Sequence, residues 1–312
     1  MIDKLAVYVL TYHKHTEDHL SRCLWSINNQ PTAVDYDVIV NYNSLNEEYF
    51  KTVADFIPED YSLIMTESDG YTGKGTNSCL DHYLKNYEEN GWTHMCVIDG
   101  DDYYYPMAFD ILNELHEKSK FDFLSGMAHH VDSLRPLPPH RDDPRKVYPY
   151  IPKRWIWSFV DNRLPVFPYL FWNGEKIPGG EVTLCMSTKA VQADIRALEG
   201  ENRVDDYFFM LKAIMAHLNG EINFVSTDCN DIYIYDCTQE GITRGNEDFD
   251  EERGWPFDKK GLVYAEVNKD EYKCLTGITR QHLPYVTMPQ IWTHLEKCEF
   301  AAANEIFNDN NK

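Results

Sequence analysis

From its first residues to about residue 127 the chain alternates short apolar runs with segments whose apolar residues recur at helical spacing. This alternation limits the fold more than any other feature. Residues 5–10, 37–40, 61–65, 95–98 and 121–127 read as strands. Residues 20–30, 47–56, 76–86 and 107–118 read as helices, with Pro31 and Pro58 just past two of their ends. Gly70, Gly73 and Gly75 read as a loop before the third helix. Strands and helices in strict succession predict βαβ units and a largely parallel central sheet flanked by helices, an α/β architecture. Apolar residues make up 43% of the 312 positions, enough to fill the core of such a layer structure. Further strands are expected at 181–186, 224–226 and 232–235, and a helix over 207–218.

In an open α/β sheet, ligands bind beyond the carboxyl ends of the strands. Chemistry-bearing residues gather at those ends. Thr11 follows the first strand and Asn41 and Asn43 the second. Glu67 and Asp69 follow the third, and Asp99-Gly100-Asp101-Asp102 the fourth. Three carboxylates at one strand end repel one another unless a cation or hydrogen-bond donors compensate them. Alone, such a cluster also fits a solvated acidic turn, and Asp102 fits a turn cap. His13, His15 and His19 sit in a polar run and read as surface.

Residues 129–178 break the pattern. They hold nine of the 15 prolines and three of the seven tryptophans. They also carry eight Lys or Arg against five Asp or Glu, in a chain of net charge −22. The segment reads as an insertion with little regular structure over the mouth of the sheet. Trp155, Trp157 and Trp172 fit a satellite core equally well. The expected organisation is one domain over residues 1–245 containing this insertion, and a C-terminal extension over 246–312 packed on it.

Other features bound the setting. The eight cysteines are scattered, with no C-x-x-C pair, and read as free, mostly buried thiols in a reducing compartment. No run of about 18 apolar residues exists, and the N-terminus lacks signal-peptide features. The expected location is therefore the cytoplasm (a host's cytoplasm, for a viral chain), with no transmembrane segment. The acidic balance argues against binding polyanions through the global field, while the local basic, aromatic insertion leaves nucleic acid open.

Four segments together resemble the GT-A nucleotide-sugar glycosyltransferases, specifically the family-2-like group. They are Val7-Tyr-Val-Leu-Thr-Tyr12 with the Leu20 to Gln30 helix, and Gly70-Tyr-Thr-Gly-Lys-Gly-Thr-Asn77. The others are Val97-Ile-Asp-Gly-Asp-Asp102 with Pro106, and Gly200-Glu-Asn-Arg-Val-Asp-Asp206. The match spans roughly residues 4–245. It implies a Rossmann-like GT-A sheet and metal-dependent, inverting transfer of a sugar from a nucleotide-sugar donor to an acceptor hydroxyl, by a hexosyl- or pentosyltransferase. By the resemblance, Asp99 meets the ribose, Asp101 and Asp102 hold Mn²⁺ or Mg²⁺, and Asp206 or Asp205 is the base. Two adjacent Asp also suit an N-cap for the helix that follows.

Thr11 is implied to line the nucleotide pocket, with Glu67, Asp69 and Lys74 for base or phosphate. Asp236 stands where relatives place a late metal or phosphate ligand, and Arg244 lies within reach of the diphosphate. Asn41 and Asn43 depart from the Asp pair usual in relatives; Asn also hydrogen-bonds a base, and a UDP-sugar is the expected donor. The acceptor, whose site the insertion at 129–178 is expected to shape, is a glycan or, alternatively, a hydroxymethylated base in DNA, as in phage-type DNA modification. A lipid-linked sugar fits less well without an anchor. A catalytically inactive sugar-nucleotide-binding protein is the reading from another class.

Overall fold

A computed structural model describes residues 1–131 except 67 and 69, residues 147–149, 181–197, 199, and 209, 212–213, 216–217, 219–227, 229 and 231–236. By Cα proximity the chain divides into two compact units. One comprises Met1–Pro149 with Val182–Glu240, the other Tyr150–Glu181 with Gly241–Lys312.

The first unit runs β1 (Lys4–Thr11), α1 (Glu17–Asn28), β2 (Asp35–Asn43), α2 (Glu47–Phe56), β3 (Ser62–Thr66) and α3 (Thr72–Asn90). It continues with β4 (His94–Asp99), β5 (Tyr103–Tyr104), α4 (Ala108–Ser119), β6 (Phe123–Met127), β7 (His129–Val131) and β8 (Val147–Pro149). Then follow β9 (Glu181–Ser187), α5 (Thr188–Gln192), β10 (Phe224–Thr227) and β11 (Tyr233–Asp236). Eight strands form one sheet in the order β3-β2-β1-β4-β9-β6-β10-β8, and three form a second, β5-β11-β7. The β3-β2, β2-β1, β1-β4 and β6-β10 pairs are parallel, whereas β4-β9 and β10-β8 are antiparallel. The expected α/β class and mostly parallel sheet are therefore the observed ones, with an antiparallel strand inserted in the middle.

β1 is buried on both faces, as a central parallel strand must be. Its alternate residues serve different layers. Leu5, Val7 and Val9 join the core with Leu20, Leu24 and Ile27 of α1 and Phe109, Leu112 and Leu115 of α4. On the other face the Tyr8 hydroxyl meets His82 Nδ1 of α3 at 2.9 Å. α1 begins where Thr16 caps it: the Thr16 hydroxyl accepts from His19 N–H at 3.3 Å, and His19 Nδ1 accepts from Thr16 N–H at 3.2 Å.

Two expectations need correction. The glycine loop before α3 is shorter than the sequence suggests, because Gly73 and Gly75 lie inside the helix and are buried. A Cβ on Gly75 would stand 2.6 Å from Leu10 Cδ1 and 2.7 Å from Asn43 Nδ2. That glycine permits close approach of α3 to β1 and β2; the backbone freedom is needed at Gly70, whose φ is +77°. Second, two short strands within residues 129–178, β7 and β8, were not expected individually; neighbours β11 and β10 supply ladder partners that a three-residue run does not announce. Cys23, Cys79, Cys96, Cys185 and Cys229 are free and buried, as expected; the other three lie outside the described residues. Among the described residues no helix is long and apolar enough to cross a membrane.

Candidate active site

The strand order reverses between β1 and β4, and the two strands run parallel with Leu10 opposite Asp99. A crevice opens at such a switch point, past the carboxyl ends of both strands. Asp99-Gly100-Asp101-Asp102 occupies it. Gly100 N–H donates to Leu10 O at 2.8 Å, extending the ladder by one step. Asp102 N–H then donates to Asp99 O at 3.0 Å and turns the chain. A Cβ on Gly100 would lie 2.8 Å from His15 Nδ1 and 3.1 Å from Thr11 Cβ, so the turn admits only glycine without displacement.

The three carboxylates each offer an oxygen within 4.8 Å of the others, a spacing and donor set that suit a hard divalent cation. They are not equivalent. The Asp101 side chain is 24% exposed and faces His15 Nε2 at 3.5 Å. Asp99 is half-buried, and its carbonyl accepts from Cys23 Sγ at 3.7 Å. Asp102 is 1% exposed. Its Oδ2 accepts from the Tyr233 hydroxyl at 2.6 Å and its Oδ1 from Asp236 N–H at 2.8 Å. Burial pushes the Asp102 carboxyl well above the usual carboxylate range and the charges of Asp101 and Asp99 push it further, against the two donors.

Asp236 stands outside the three-carboxylate cluster. Its carboxylate pairs with Arg22 Nη2 of α1 at 2.7 Å and is nearly inaccessible. The same Arg22 nitrogen donates to Asp101 O at 3.3 Å, and the guanidinium lies 4.9 Å from the Tyr103 ring centre. Asp102, Asp236, Tyr233 and Arg22 thus form one connected tie joining α1, the acidic turn and the small sheet. Asp102 Oδ1 and Oδ2 and Asp236 Oδ2 thus accept from protein donors, and a carboxylate oxygen keeps a second acceptor position, so Asp102 stays within the three-carboxylate group.

Asn41 and Asn43 are also tied to the protein. Both are buried beneath the strand ends. Asn41 Nδ2 donates to Gly75 O at 3.0 Å and approaches Cys79 Sγ at 3.2 Å, while Asn41 Oδ1 accepts from Thr66 Oγ1 at 3.0 Å. Asn43 Nδ2 donates to Tyr71 O at 2.9 Å, and its Oδ1 accepts from Ser68 Oγ. These amides anchor the start of α3 and the end of β3. Thr11 is likewise fully buried, with its Oγ1 3.3 Å from His15 Nδ1. Lys74 is exposed in the first turn of α3. Glu67, Asp69, Asp205, Asp206 and Arg244 lie outside the described residues. Asn77 of α3 binds the segment that follows α5: its Nδ2 donates to Ala197 O and Glu199 Oε1, both at 3.0 Å.

His15 and His19 are not surface residues; both are buried. Burial lowers the His15 imidazole to about 4, with Asp101 opposing and His19 and His13 reinforcing, so the ring is neutral at physiological pH. Tyr12 rises to about 12, first from burial and then from Asp101 and Asp99. Neither residue carries a sequence signal for this place: Tyr12 and His15 lie in a polar run, and only the strand end brings them to the acidic turn.

No protein-family model matches the chain, and no curated protein does either. Solved structures do match. The structure of residues 1–349 of S. aureus TarS in complex with UDP-GlcNAc aligns with a TM-score of 0.58 at 14% identity, covering 98% of this chain and 92% of that one. The UDP complex of the same piece aligns at 0.54 and 13% identity, with 98% and 92% covered. Against a longer TarS structure the TM-score is 0.56 at 14% identity; 96% of this chain is covered but only 54% of that one, about half its length. The sheet order and these alignments agree: the chain shares the GT-A-type α/β fold of the TarS structures.

Proposed function

We propose that the chain transfers a sugar from a nucleotide-sugar donor, a UDP-sugar, to an acceptor hydroxyl with the help of a divalent cation. One observation carries this reading: three carboxylates converge at the carboxyl end of β4, beside β1, where the sheet order reverses. The TarS structures with UDP-GlcNAc and UDP support the donor class. Asp101 holds the cation, Mn²⁺ or Mg²⁺, with Asp99 beside it or on the ribose. A cation there would neutralise charge on the departing diphosphate. Lys74, in the first turn of α3, and Arg244 are the further phosphate contacts we assign. The bond from the anomeric carbon to the β-phosphate oxygen breaks, and its electron pair leaves with UDP. The acceptor oxygen attacks the opposite face and inverts the centre, while its proton passes to Asp206, or to Asp205 if Asp206 caps the helix that follows. The basic, aromatic run within 129–178 is the acceptor surface in this reading.

The donor assay comes first. UDP-sugar hydrolysis or transfer is expected to vanish with EDTA, return with Mn²⁺ and fail in Asp101→Asn. Thermal stabilisation by UDP-sugars in the presence of metal should parallel activity. Failure of every nucleotide sugar to stabilise the protein with metal present overturns the proposal. Parallel assays on oligosaccharides and hydroxymethylated DNA then identify the acceptor. Neutralising Arg141, Arg145, Lys146, Lys153 and Arg154 should abolish salt-sensitive DNA binding only if DNA is the acceptor.

A further inference from the structure

His15 is held on nearly every side. Its N–H donates to Tyr12 O at 3.0 Å, and its carbonyl accepts from the Tyr49 hydroxyl. Its ring packs edge-on against Tyr12, with centroids 4.5 Å apart, and is 8% exposed. Nδ1 faces Thr11 Oγ1 at 3.3 Å, and Gly100 leaves just enough room for the ring. The other nitrogen, Nε2, is aimed at Asp101 Oδ1 from 3.5 Å. Hydrogen bonds from nitrogen to a carboxylate close to about 2.7–2.9 Å, so this pair is held apart. Metal–ligand bonds of about 2.0–2.2 Å set neighbouring donor atoms of one coordination shell roughly 3–3.5 Å apart. The 3.5 Å spacing fits two donors that share one ion.

We propose that His15 Nε2 is a nitrogen ligand of the cation, beside Asp101 Oδ1, and that it biases the site toward first-row transition cations over Mg²⁺. The inference rests on the cation assigned above to Asp101. Imidazole favours transition ions, whereas Mg²⁺ prefers hard oxygen donors. With Nε2 on the ion, the Nδ1 proton faces Thr11 Oγ1, the outer-shell acceptor that fixes ring and tautomer in metal-binding histidines. Thr11 thereby gains a role without contacting the nucleotide.

Pulsed electron paramagnetic resonance on the full chain with Mn²⁺ and UDP tests this directly, independent of turnover. A ¹⁴N coupling of imidazole magnitude is expected in the unaltered protein and should be lost in His15→Gln. Calorimetry should show the preference for Mn²⁺ over Mg²⁺ falling about tenfold or more in that variant. The spectrum of the unaltered chain needs no substitution, so a His15→Gln chain that fails to fold does not weaken the test. Bound Mn²⁺ that is lost in Asp101→Asn yet shows no nitrogen coupling overturns the role of His15 and leaves the sugar-transfer reading standing. A coupling that persists in folded His15→Gln also overturns it. Absence of Mn²⁺ binding even with UDP overturns both.

Discussion

Asp101 and Asp102 are neighbours with opposite duties. Asp101 keeps its carboxylate toward the crevice; Asp102 turns inward to the Tyr233 hydroxyl and Asp236 N–H. Removing the inner acceptor strands two buried donors, and each such loss costs about 1–3 kcal/mol. Asp102→Ala should therefore lower the urea midpoint markedly, while Asp101→Asn should leave it within about 0.5 kcal/mol of the parent and remove Mn²⁺ binding. Equal stability losses in the two variants would contradict this division of labour. The motif itself was legible in sequence, because an apolar run ending in three carboxylates is conspicuous. Which carboxylate faces which way was not. The side chain that holds Asp102 lies 131 positions away, at Tyr233.

At the scale of elements, legibility followed local punctuation. α2 was readable to the residue, because Asn46 caps it and Pro58 lies just beyond its end. α3 starts four residues earlier than its pattern suggests, since Gly73 and Gly75 look like loop residues until Leu10 and Asn43 are seen against them. Gly75→Ala makes the point testable. Alanine is the better helix former by about 1 kcal/mol in isolation. Here its methyl would meet Leu10 and Asn43, and overpacking costs about 1–3 kcal/mol. Thermal denaturation should show net destabilisation; a rise in melting temperature would mean that α3 shifts at no cost. Asn41 and Asn43 teach the same lesson from the other side. Asn at a strand end looks like a ligand contact, and only the packing of α3 over it reveals an internal anchor.

The whole molecule carries a pH dependence at the end of the sheet remote from the acidic turn. His94 opens β4, with its ring centre 4.5 Å from that of His116 and 6.0 Å from that of Phe121. Burial first, then His116 and the N-terminal amine, together lower His94 to about 3 against the opposing Asp122. His116 is lowered as well, by burial, the N-terminal amine and Lys120, against Glu117 and the Phe121 backbone. Between the ordinary histidine value of about 6.5 and these depressed values, the unfolded chain binds protons that the folded chain refuses. Stability must therefore fall as pH drops through that window. Urea unfolding at about pH 7.5, 6 and 5 should show the loss, and His94→Leu should flatten it. Parallel curves for both proteins would exclude His94 as the source. The overall α/β class followed from strand–helix alternation alone. The antiparallel β9 between β4 and β6 did not, because strand order depends on contacts far apart in sequence.

The inward placement of Asp102 bears on how such chains diverge. On the proposed function, a descendant that abandons chemistry and keeps the fold is released from holding Asp101 and His15, but it still needs Asp102, Tyr233, Asp236 and Arg22 to join its two sheets. Loss of the third position in Asp-Gly-Asp-Asp while the fourth persists would mark a silent copy. Loss of the fourth would accompany a rebuilt scaffold.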